Sequence, residues 1–434
     1  MIASLFVGIG LLAGVASAED RLLQQSDLIY QGAFRVPGGD FGSPTYSGFN
    51  YGGTALTYNP KNNSLFLVGH SWHQLTAEIS IPELSTSANI GDLKTASVLQ
   101  PFSDVTEGHR ADIGAGGAAV DASGTPLGGL LVYGDKLIGT VFGYYDAGGA
   151  VKLSHFTSAL NLSATGDFKG MYQVGSTQAV PNPAFIDGYM AHIPASWQAA
   201  FGGPALTGNC CLSIISRTSL GPAVSVFNPD HLGVMNPAPV TQLVGYPIGH
   251  PTLGTYGDQR STVIYNGSMS INGVVFPQGS RSVLFFGKRG IGSFCYGAGT
   301  SDQSLDRQPV PGYDGAVIYC YDPLNGSKGG HSYPYVYQAL AYDALDLLLV
   351  KNGQKSPWEI SPYGVWQLSF PLGYENANIL GAAYDPQTQR IYLSEGGGDH
   401  EGYSYLPLIQ VYKVRTGLPS DASAPQPPKG LKFR

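Results

Sequence analysis

The sequence predicts an all-β protein, and within that class a β-propeller of six blades, with seven blades as the alternative. Its composition disfavours helices, because 60 glycines and 30 prolines occur among 434 residues of which only 12% are charged. Glycine costs about 1 kcal/mol and proline about 3 kcal/mol in a helix interior. The 27 tyrosines and 18 phenylalanines suit half-buried strands instead. A recurring strand–turn–strand pattern adds the signature of a repeat architecture.

The repeat is clearest at residues 379–414, where strand LGAAY, turn DPQTQ, strand RIYLSE, a glycine-rich polar loop and strand LIQVYKV follow one another. Asp or Asn before Pro starts a turn, and NPKNNS at residues 59–64 occupies the same place between LTY and LFLV. A third hairpin is predicted across Gly134-Asp135. The six units begin at residues 53, 128, 182, 261, 339 and 379.

The spacing of these units favours radial repetition. Units of roughly 40–75 residues with three or four short strands each need a neighbour on which to bury a face. The fourth unit is expected to run from STVIYN at residue 261 to residue 323, and the fifth to combine residues 339–350 with 364–370. A pair of β-sandwiches and a right-handed β-helix are the alternatives, although β-helix repeats are shorter and more regular.

The N-terminal strand is predicted to close the ring. DLIYQGAFRV at residues 27–36 stands alone before a Gly/Pro loop, and the last unit has only three strands of its own. Adding the first strand to the last unit removes an exposed sheet edge.

The two ends of the chain are expected to lie outside this domain. Residues 1–18 contain the apolar run LFVGIGLLAGV and then Ala16-Ser17-Ala18, which is typical of a signal peptide cleaved after Ala18. The run is too short to cross a bilayer as a helix, and no second apolar run predicts an integral membrane segment. Residues 415–434 form a Pro/Ser-rich tail, which leaves residues 19–414 as a single domain. A secreted or periplasmic monomer is expected.

The four cysteines are predicted to form disulfide bonds, as an even number in an exported chain permits. Neighbouring cysteines seldom bond each other, so we expect one bond from the Cys210/Cys211 pair to Cys295 or Cys320. A zinc site of four thiolates lacks the C-x2-C spacing.

Charge excludes nucleic acid as a partner. The net charge is −7 and no run of basic residues occurs, whereas nucleic-acid binding requires a cationic surface.

A candidate ligand site follows from the loops. In a propeller the loops between second and third strands, and those entering each first strand, share one face, and loops on a rigid scaffold concentrate function. This loop face is expected to hold aromatic and charged residues. The candidate catalytic residues are His73, His192, Tyr144 and Arg289, and the candidate ligand-binding residues are Trp72, Arg110, Trp197, Tyr256, Arg260, Glu395, Asp399 and His400.

Carbohydrate chemistry fits this set best. Flat aromatic rings stack on sugars, and a uronic-acid lyase needs a cation that neutralises the carboxylate and a base that takes the α-proton. A hydrolase would need two carboxylates at a fixed separation, for which Glu107, Glu395 and Asp399 are the candidates. The expected partner is a polysaccharide or oligosaccharide, and lyase chemistry is the first enzymatic hypothesis.

Other readings stay open. His70, His73 and Asp399 could bind a divalent metal, calcium or zinc, although GGGDHEG at residues 396–402 lacks the spacing of a calcium loop. A quinone-dependent sugar oxidoreductase is a further alternative, since the Cys210-Cys211 pair resembles the adjacent cysteines of some larger quinoproteins. A non-catalytic glycan- or protein-binding scaffold is the alternative from another class.

Overall fold

The structure, a computed structural model, describes residues 20–121, 124–146, 148–212, 217–248, 267–312, 317–373 and 378–417. The fold is all-β with few helices. Within these ranges the strands form five four-stranded sheets and one three-stranded sheet. The signal peptide predicted at residues 1–18 and most of the predicted tail lie outside the described residues. No helix among the residues described is long and apolar enough to cross a membrane.

The first three sheets follow the chain in order, each strand antiparallel to the one before it. Sheet I contains β2 (Leu56–Asn59), β3 (Ser64–Val68), β4 (Thr76–Ser80) and β5 (Val98–Ser103). Sheet II contains β6 (Leu127–Tyr133), β7 (Lys136–Val141), β8 (His155–Ala159) and β9 (Lys169–Tyr172). Sheet III contains β10 (Met190–His192), β11 (Ala205–Thr207), β12 (Val224–Phe227) and β13 (Val240–Val244), with helix α1 (Ala195–Phe201) between its first two strands.

Sheet IV is interrupted by an insertion. It contains β14 (Ser270–Val275), β15 (Ser282–Gly290), β19 (Tyr335–Asp343) and β20 (Gly364–Leu368), and helix α2 (Ala344–Lys351) follows β19. The insertion between β15 and β19 forms the three-stranded insert sheet of β16 (Cys295–Thr300), β17 (Tyr319–Tyr321) and β18 (Lys328–His331).

Sheet V joins the two ends of the chain. It contains β21 (Ile379–Asp385), β22 (Arg390–Glu401), β23 (Ser404–Val414) and, on its outer side, β1 (Leu28–Arg35). β1 is antiparallel to β23 from Leu28 opposite Val414 to Arg35 opposite Leu408, as the sequence predicts. Buried Asp27 holds this junction, because its carboxylate accepts hydrogen bonds from Arg21 at 2.7 Å and Arg415 at 3.3 Å.

The hydrophobic core consists of layers between neighbouring sheets. The first strands contact one another in the order β2, β6, β10, β14, β21 and back to β2. Each of the five large apolar clusters combines residues of two consecutive sheets, and one of them packs sheet V against sheet I. Each sheet therefore buries both of its faces against its neighbours.

The fourth and fifth predicted units are one sheet. β15 is antiparallel to β19 over the whole length of both strands, from Ser282 opposite Asp343 to Gly290 opposite Tyr335. The six units expected from the sequence therefore correspond to five four-stranded sheets in the described residues. Strand STVIYN, expected to begin the fourth unit, lies outside them.

The sequence DALDLLLV, expected to be a turn and a strand, is helical. Asp343 ends β19 and caps α2, since its carboxylate accepts the Leu345 backbone N–H at 3.0 Å. Ala344, Leu347 and Val350 then recur at helical spacing and are buried. Asp343 therefore acts as an N-cap, whereas the similar Asp385 of YDPQT starts a hairpin.

The disulfide pairing differs from the expected one. Cys210 bonds its neighbour Cys211, and Cys295 bonds Cys320 across the insert sheet. Cys211 adopts a positive φ of 64°, which few non-glycine residues do. The bond from the Cys210/Cys211 pair to the insertion was predicted because adjacent bridges are seldom formed, and that prediction is wrong.

Candidate functional site

A cavity of about 540 Å³ opens where the first strands of four sheets begin. We call it the mouth cavity. Trp72, Arg110 and Tyr144, three of the candidates drawn from the sequence, line it together. The other lining residues are Thr54, Ser71, Gln74, Thr125, Pro126, Leu127, Gly128, Phe142, Asn272 and Leu380.

An exposed group of rings lies beside this cavity. We define the aromatic patch as Tyr46, Tyr51, His70, Trp72 and Tyr405. The Tyr46 ring stacks on His70 at 5.5 Å, His70 lies 5.0 Å from Trp72, and Tyr51 stacks on Tyr405 at 5.2 Å. Trp72 is 70% exposed, Tyr46 50% and Tyr51 46%. Aromatic area of this kind on a surface marks a binding site more often than a structural need.

The backbone that carries the patch is strained. Tyr46 has φ 72°, Tyr51 has φ 53° and Gln74 has φ 57°. A left-handed conformation costs a bulky residue about 1–2 kcal/mol. Local contacts hold it: Gln74 accepts the Leu127 backbone N–H at 2.8 Å, and the Tyr51 N–H donates to the Tyr405 carbonyl at 2.9 Å. Strain concentrated beside a cavity is typical of functional loops.

Two glycines allow the patch loops to meet. The His70 N–H donates to the Gly48 carbonyl at 2.8 Å. A side chain on Gly69 would meet that carbonyl oxygen at 2.5 Å and the ring of Phe102 at 2.3 Å. The loop after β1 and the loop after β3 therefore lie closer together than any other residue would permit.

The two histidines of the patch have different surroundings. Burial lowers the pKa of His70, and nearby His73 lowers it further while Asp40 opposes the effect. The His70 ring is therefore neutral at pH 7, and its Nδ1 accepts the Trp72 backbone N–H at 3.2 Å. His73 Nε2 lies 3.0 Å from the Thr45 carbonyl, and the His73 carbonyl accepts Arg110 Nη1 at 3.2 Å.

Arg110 gives the mouth cavity a positive charge. Burial lowers the pKa of its guanidinium, but arginine stays protonated at neutral pH. No Asp or Glu occurs among the described residues that line this cavity. A chain with net charge −7 thus has a cationic cavity at this point.

Two candidates lie away from the mouth cavity. His192 ends strand β10 and lines a separate cavity of about 340 Å³ towards the other ends of the first strands, where its Nε2 lies 2.8 Å from the Val132 carbonyl. Trp197 is buried on α1, packs on Phe201, and donates its indole N–H to Asp20 at 3.0 Å. The sequence placed both on the loop face, because the strand ending at His192 is the first of its sheet and not the second.

Glu395 is fully buried inside sheet V. Its carboxylate accepts hydrogen bonds from Tyr337 at 2.5 Å and Gln410 at 2.6 Å, and Gln410 accepts one from Tyr30 at 2.7 Å. Burial together with the Glu395 charge raises the pKa of Tyr30. Glu395 therefore links three strands of sheet V and the neighbouring β19, whereas the sequence placed it in a loop.

The predicted loop 396–403 is mostly strand. β22 continues to Glu401, with Asp399 opposite Leu406 and His400 opposite Tyr405. Asp399 is bound by Arg35 at 2.7 Å. The His400 ring lies 4.1 Å from the ring of Tyr405, so it borders the aromatic patch.

The remaining candidates are scattered or outside the described residues. Arg289 lies near the end of β15, and its Nε is buried without a hydrogen-bond partner. Tyr256 and Arg260 lie outside the described residues. Glu107 caps the backbone N–H groups of residues 166–168.

The metal hypothesis is not supported by the geometry. No three His, Cys, Asp or Glu side chains of the described ranges form a group that could hold a metal ion. Asp399 is occupied by Arg35, and His73 faces the Thr45 carbonyl. His70, His73 and Asp399 therefore do not assemble the expected site.

The sequence missed Tyr46, Tyr51 and Tyr405. The first two lie in the Gly/Pro loop of residues 37–55, which enters the first strand of sheet I, so the rule for entry loops would have found them. Tyr405 is adjacent to the hairpin tip at Gly402-Tyr403, in a segment expected to be a loop.

Comparison with known proteins gives no sequence relative. No family model matches the chain, and no curated protein matches it. The chain is similar to three solved structures at TM-scores too low to decide fold or function. They are a GH43 endo-arabinanase from Bacillus licheniformis (10% identity, 87% of this chain, 96% of that chain, TM-score 0.38), a glycosyl hydrolase from Bacteroides ovatus (10%, 91%, 97%, 0.37) and a member of the DUF4221 family from Bacteroides vulgatus (6%, 92%, 100%, 0.36).

Proposed function

We propose that this protein is an exported five-bladed β-propeller that binds an acidic polysaccharide at the mouth cavity and the aromatic patch. The observation that carries the proposal is the juxtaposition of exposed rings with a cavity whose described lining holds Arg110 and no carboxylate.

The cyclic contacts of the first strands support the propeller. Five sheets whose first strands meet in a closed order, with β1 paired to β23, make a ring without a free junction. The two disulfides suit an oxidising compartment, which supports export.

Sugar binding follows from the chemistry of the patch. Sugar rings have flat C–H faces that stack on Tyr and Trp, and their hydroxyls need polar partners nearby. Trp72 belongs to both the patch and the cavity, so a chain that stacks on the patch can enter the mouth. Thr54, Gln74 and Asn272 offer hydroxyl and amide groups to it.

An acidic sugar is favoured over a neutral one by charge. Arg110 can hold a uronate carboxylate in bidentate form, and no described carboxylate in the lining repels it. A hydrolase working through two carboxylates would need residues that this lining does not contain in the described part of the chain.

Lyase chemistry is the catalytic form of this proposal. Arg110 would neutralise the uronate carboxylate, which acidifies the α-proton at C5 of the sugar. Tyr144 Oη, at the mouth, would take that proton. The C5–H electrons form the C4=C5 double bond, the C4–O bond breaks, and the leaving oxygen takes a proton from water.

A panel of soluble polymers tests binding and cleavage together. Polygalacturonate and alginate should bind and neutral xylan should not, as measured by calorimetry. Replacement of Trp72 by Ala should weaken binding by about tenfold, a loss of about 1.4 kcal/mol, whereas Leu99→Ala, at an exposed position on the outer strand of sheet I, should change nothing. Absence of binding to either uronate polymer would overturn the proposal.

Product analysis separates the enzyme from the binding protein. A lyase releases unsaturated products that absorb in the ultraviolet, and Tyr144→Phe should abolish them while leaving polymer binding intact. Binding without any such product would assign the non-catalytic alternative.

A further inference from the structure

A second cavity of about 600 Å³ continues from the mouth cavity. We call it the disulfide groove. The two cavities share Tyr144, which lines both. The groove runs from the loop after β7, with Tyr144 and Tyr145, to the insert sheet, with Tyr296 and Lys328.

The groove has the same chemical character as the mouth. Tyr144 is 55% exposed, Tyr145 70% and Tyr296 52%. Lys328 adds a cation, and no Asp or Glu occurs among the described lining residues. Aromatic rings and positive charge therefore extend across both cavities.

The bonded Cys210–Cys211 pair forms part of the groove wall. Cys210 is buried, and Cys211 lines the groove. The backbone here is satisfied, because the Cys211 N–H donates to the Ser219 carbonyl at 2.9 Å and the Leu212 N–H donates to Thr218 Oγ1 at 3.1 Å. What faces the groove is then sulfur and methylene surface, a polarizable apolar platform suited to the C–H face of a sugar.

The opposite wall is held by the second disulfide. Cys295 bonds Cys320 and is adjacent to Tyr296 on β16. β16 pairs with β18, and Tyr296 lies opposite Gly330. The insert sheet therefore presents Tyr296 and Lys328 from a cross-linked scaffold.

We propose that the mouth cavity and the disulfide groove form one continuous cleft that binds an internal stretch of an acidic polysaccharide, with Cys210–Cys211 as a platform for one sugar. This inference rests on the proposed function and extends it from the class of sugar to chain length. A cleft of this extent favours long chains over short ones, because each further sugar contacts another ring.

A blocking variant tests the groove without removing structure. A Cβ at Gly329 would meet no atom within 4 Å, and Gly329 has no positive φ, so Gly329→Leu fills the groove without strain. Gly91→Leu is the matched control, because Gly91 is exposed outside both cavities and a Cβ there makes only ordinary contact, at 3.5 Å.

The probes are oligogalacturonates and oligomannuronates from disaccharide to octasaccharide, with binding measured by calorimetry. Wild-type affinity should rise with length. Gly329→Leu and Tyr296→Ala should each weaken octasaccharide binding by about tenfold and leave disaccharide binding unchanged, as should Gly91→Leu at every length. The Cys210→Ala/Cys211→Ala double variant should behave like Tyr296→Ala.

The outcomes distinguish this inference from the one on which it rests. No binding of any uronate by the wild type overturns both. Binding that does not depend on length, or that Gly329→Leu and Tyr296→Ala leave unchanged, overturns the continuous cleft alone. If the double cysteine variant does not fold, Gly329→Leu and Tyr296→Ala still decide the matter.

Discussion

Glu78 shows how single residues stabilise this fold away from the site. It is fully buried on β4, and its carboxylate accepts hydrogen bonds from Asn59 at 2.7 Å, Asn62 at 2.9 Å, Gln100 at 2.6 Å and Ser64. These donors come from three other parts of sheet I. One side chain thus ties all four strands together.

Replacing Glu78 by Ala should destabilise the protein by about 2–4 kcal/mol, because buried amide donors lose their acceptor. Exposed Glu83→Ala is the matched control and should change stability by less than about 0.5 kcal/mol. Chemical unfolding measures both, and equal effects of the two variants would contradict the role given to Glu78.

The same carboxylate predicts an acid dependence. Burial raises the pKa of Glu78, but the four hydrogen bonds lower it by more, so the folded pKa lies below its ordinary value. Its stabilisation is present above the unfolded pKa, about 4, and is lost as the pH falls through the folded pKa. Glu78→Gln should remove this loss, which would appear as a smaller difference from wild type at pH 3 than at pH 7.

At the scale of elements, β1 depends on one ion pair at its end. Arg35 Nε donates to Asp399 at 2.7 Å, which joins the last residue of β1 to the extension of β22. The sequence interpreted Asp399 as a ligand-binding residue in a loop. The structure gives it this structural contact because the segment continues as strand.

A double-mutant cycle measures that contact. Arg35→Ala and Asp399→Ala should each lower the free energy of unfolding, with a coupling of about 1 kcal/mol, since the Asp399 side chain is mostly buried and that of Arg35 is partly exposed. Additive effects of the two substitutions would show that the pair contributes nothing.

For the whole molecule, β1 is the only strand of the described residues that brings the N-terminal end of the chain into the last sheet. Deleting residues 20–36 should leave the edge of β23 unpaired. We expect lower thermal stability and concentration-dependent association, because a free strand edge recruits other chains. Light scattering after size-exclusion chromatography checks this, and an unchanged, monomeric protein would contradict it.

Local patterns predicted much of this architecture. The hairpins at NPKNNS, Gly134-Asp135 and DPQTQ form where expected, since turn residues and alternating apolar runs act within a few residues. The strand order of sheet IV was not predicted, because an insertion separates β15 from β19 and pairing across such a distance leaves no local mark. Trp72, Arg110 and Tyr144 were identified as loop residues, but nothing local distinguished them from Trp197.

The sequence by itself determined the all-β class, the individual hairpins and the strand that joins the last sheet, because composition and short-range periodicity carry that information. Tertiary structure alone decided the number of four-stranded sheets, the Cys210–Cys211 and Cys295–Cys320 pairing, and which candidates share a cavity. Those properties depend on contacts between residues far apart in the chain, where Glu395 is buried by three neighbouring strands and Trp72 is left exposed beside Arg110. Burial is a property of the assembled sheets, and it separates structural residues from candidate ligand-binding ones.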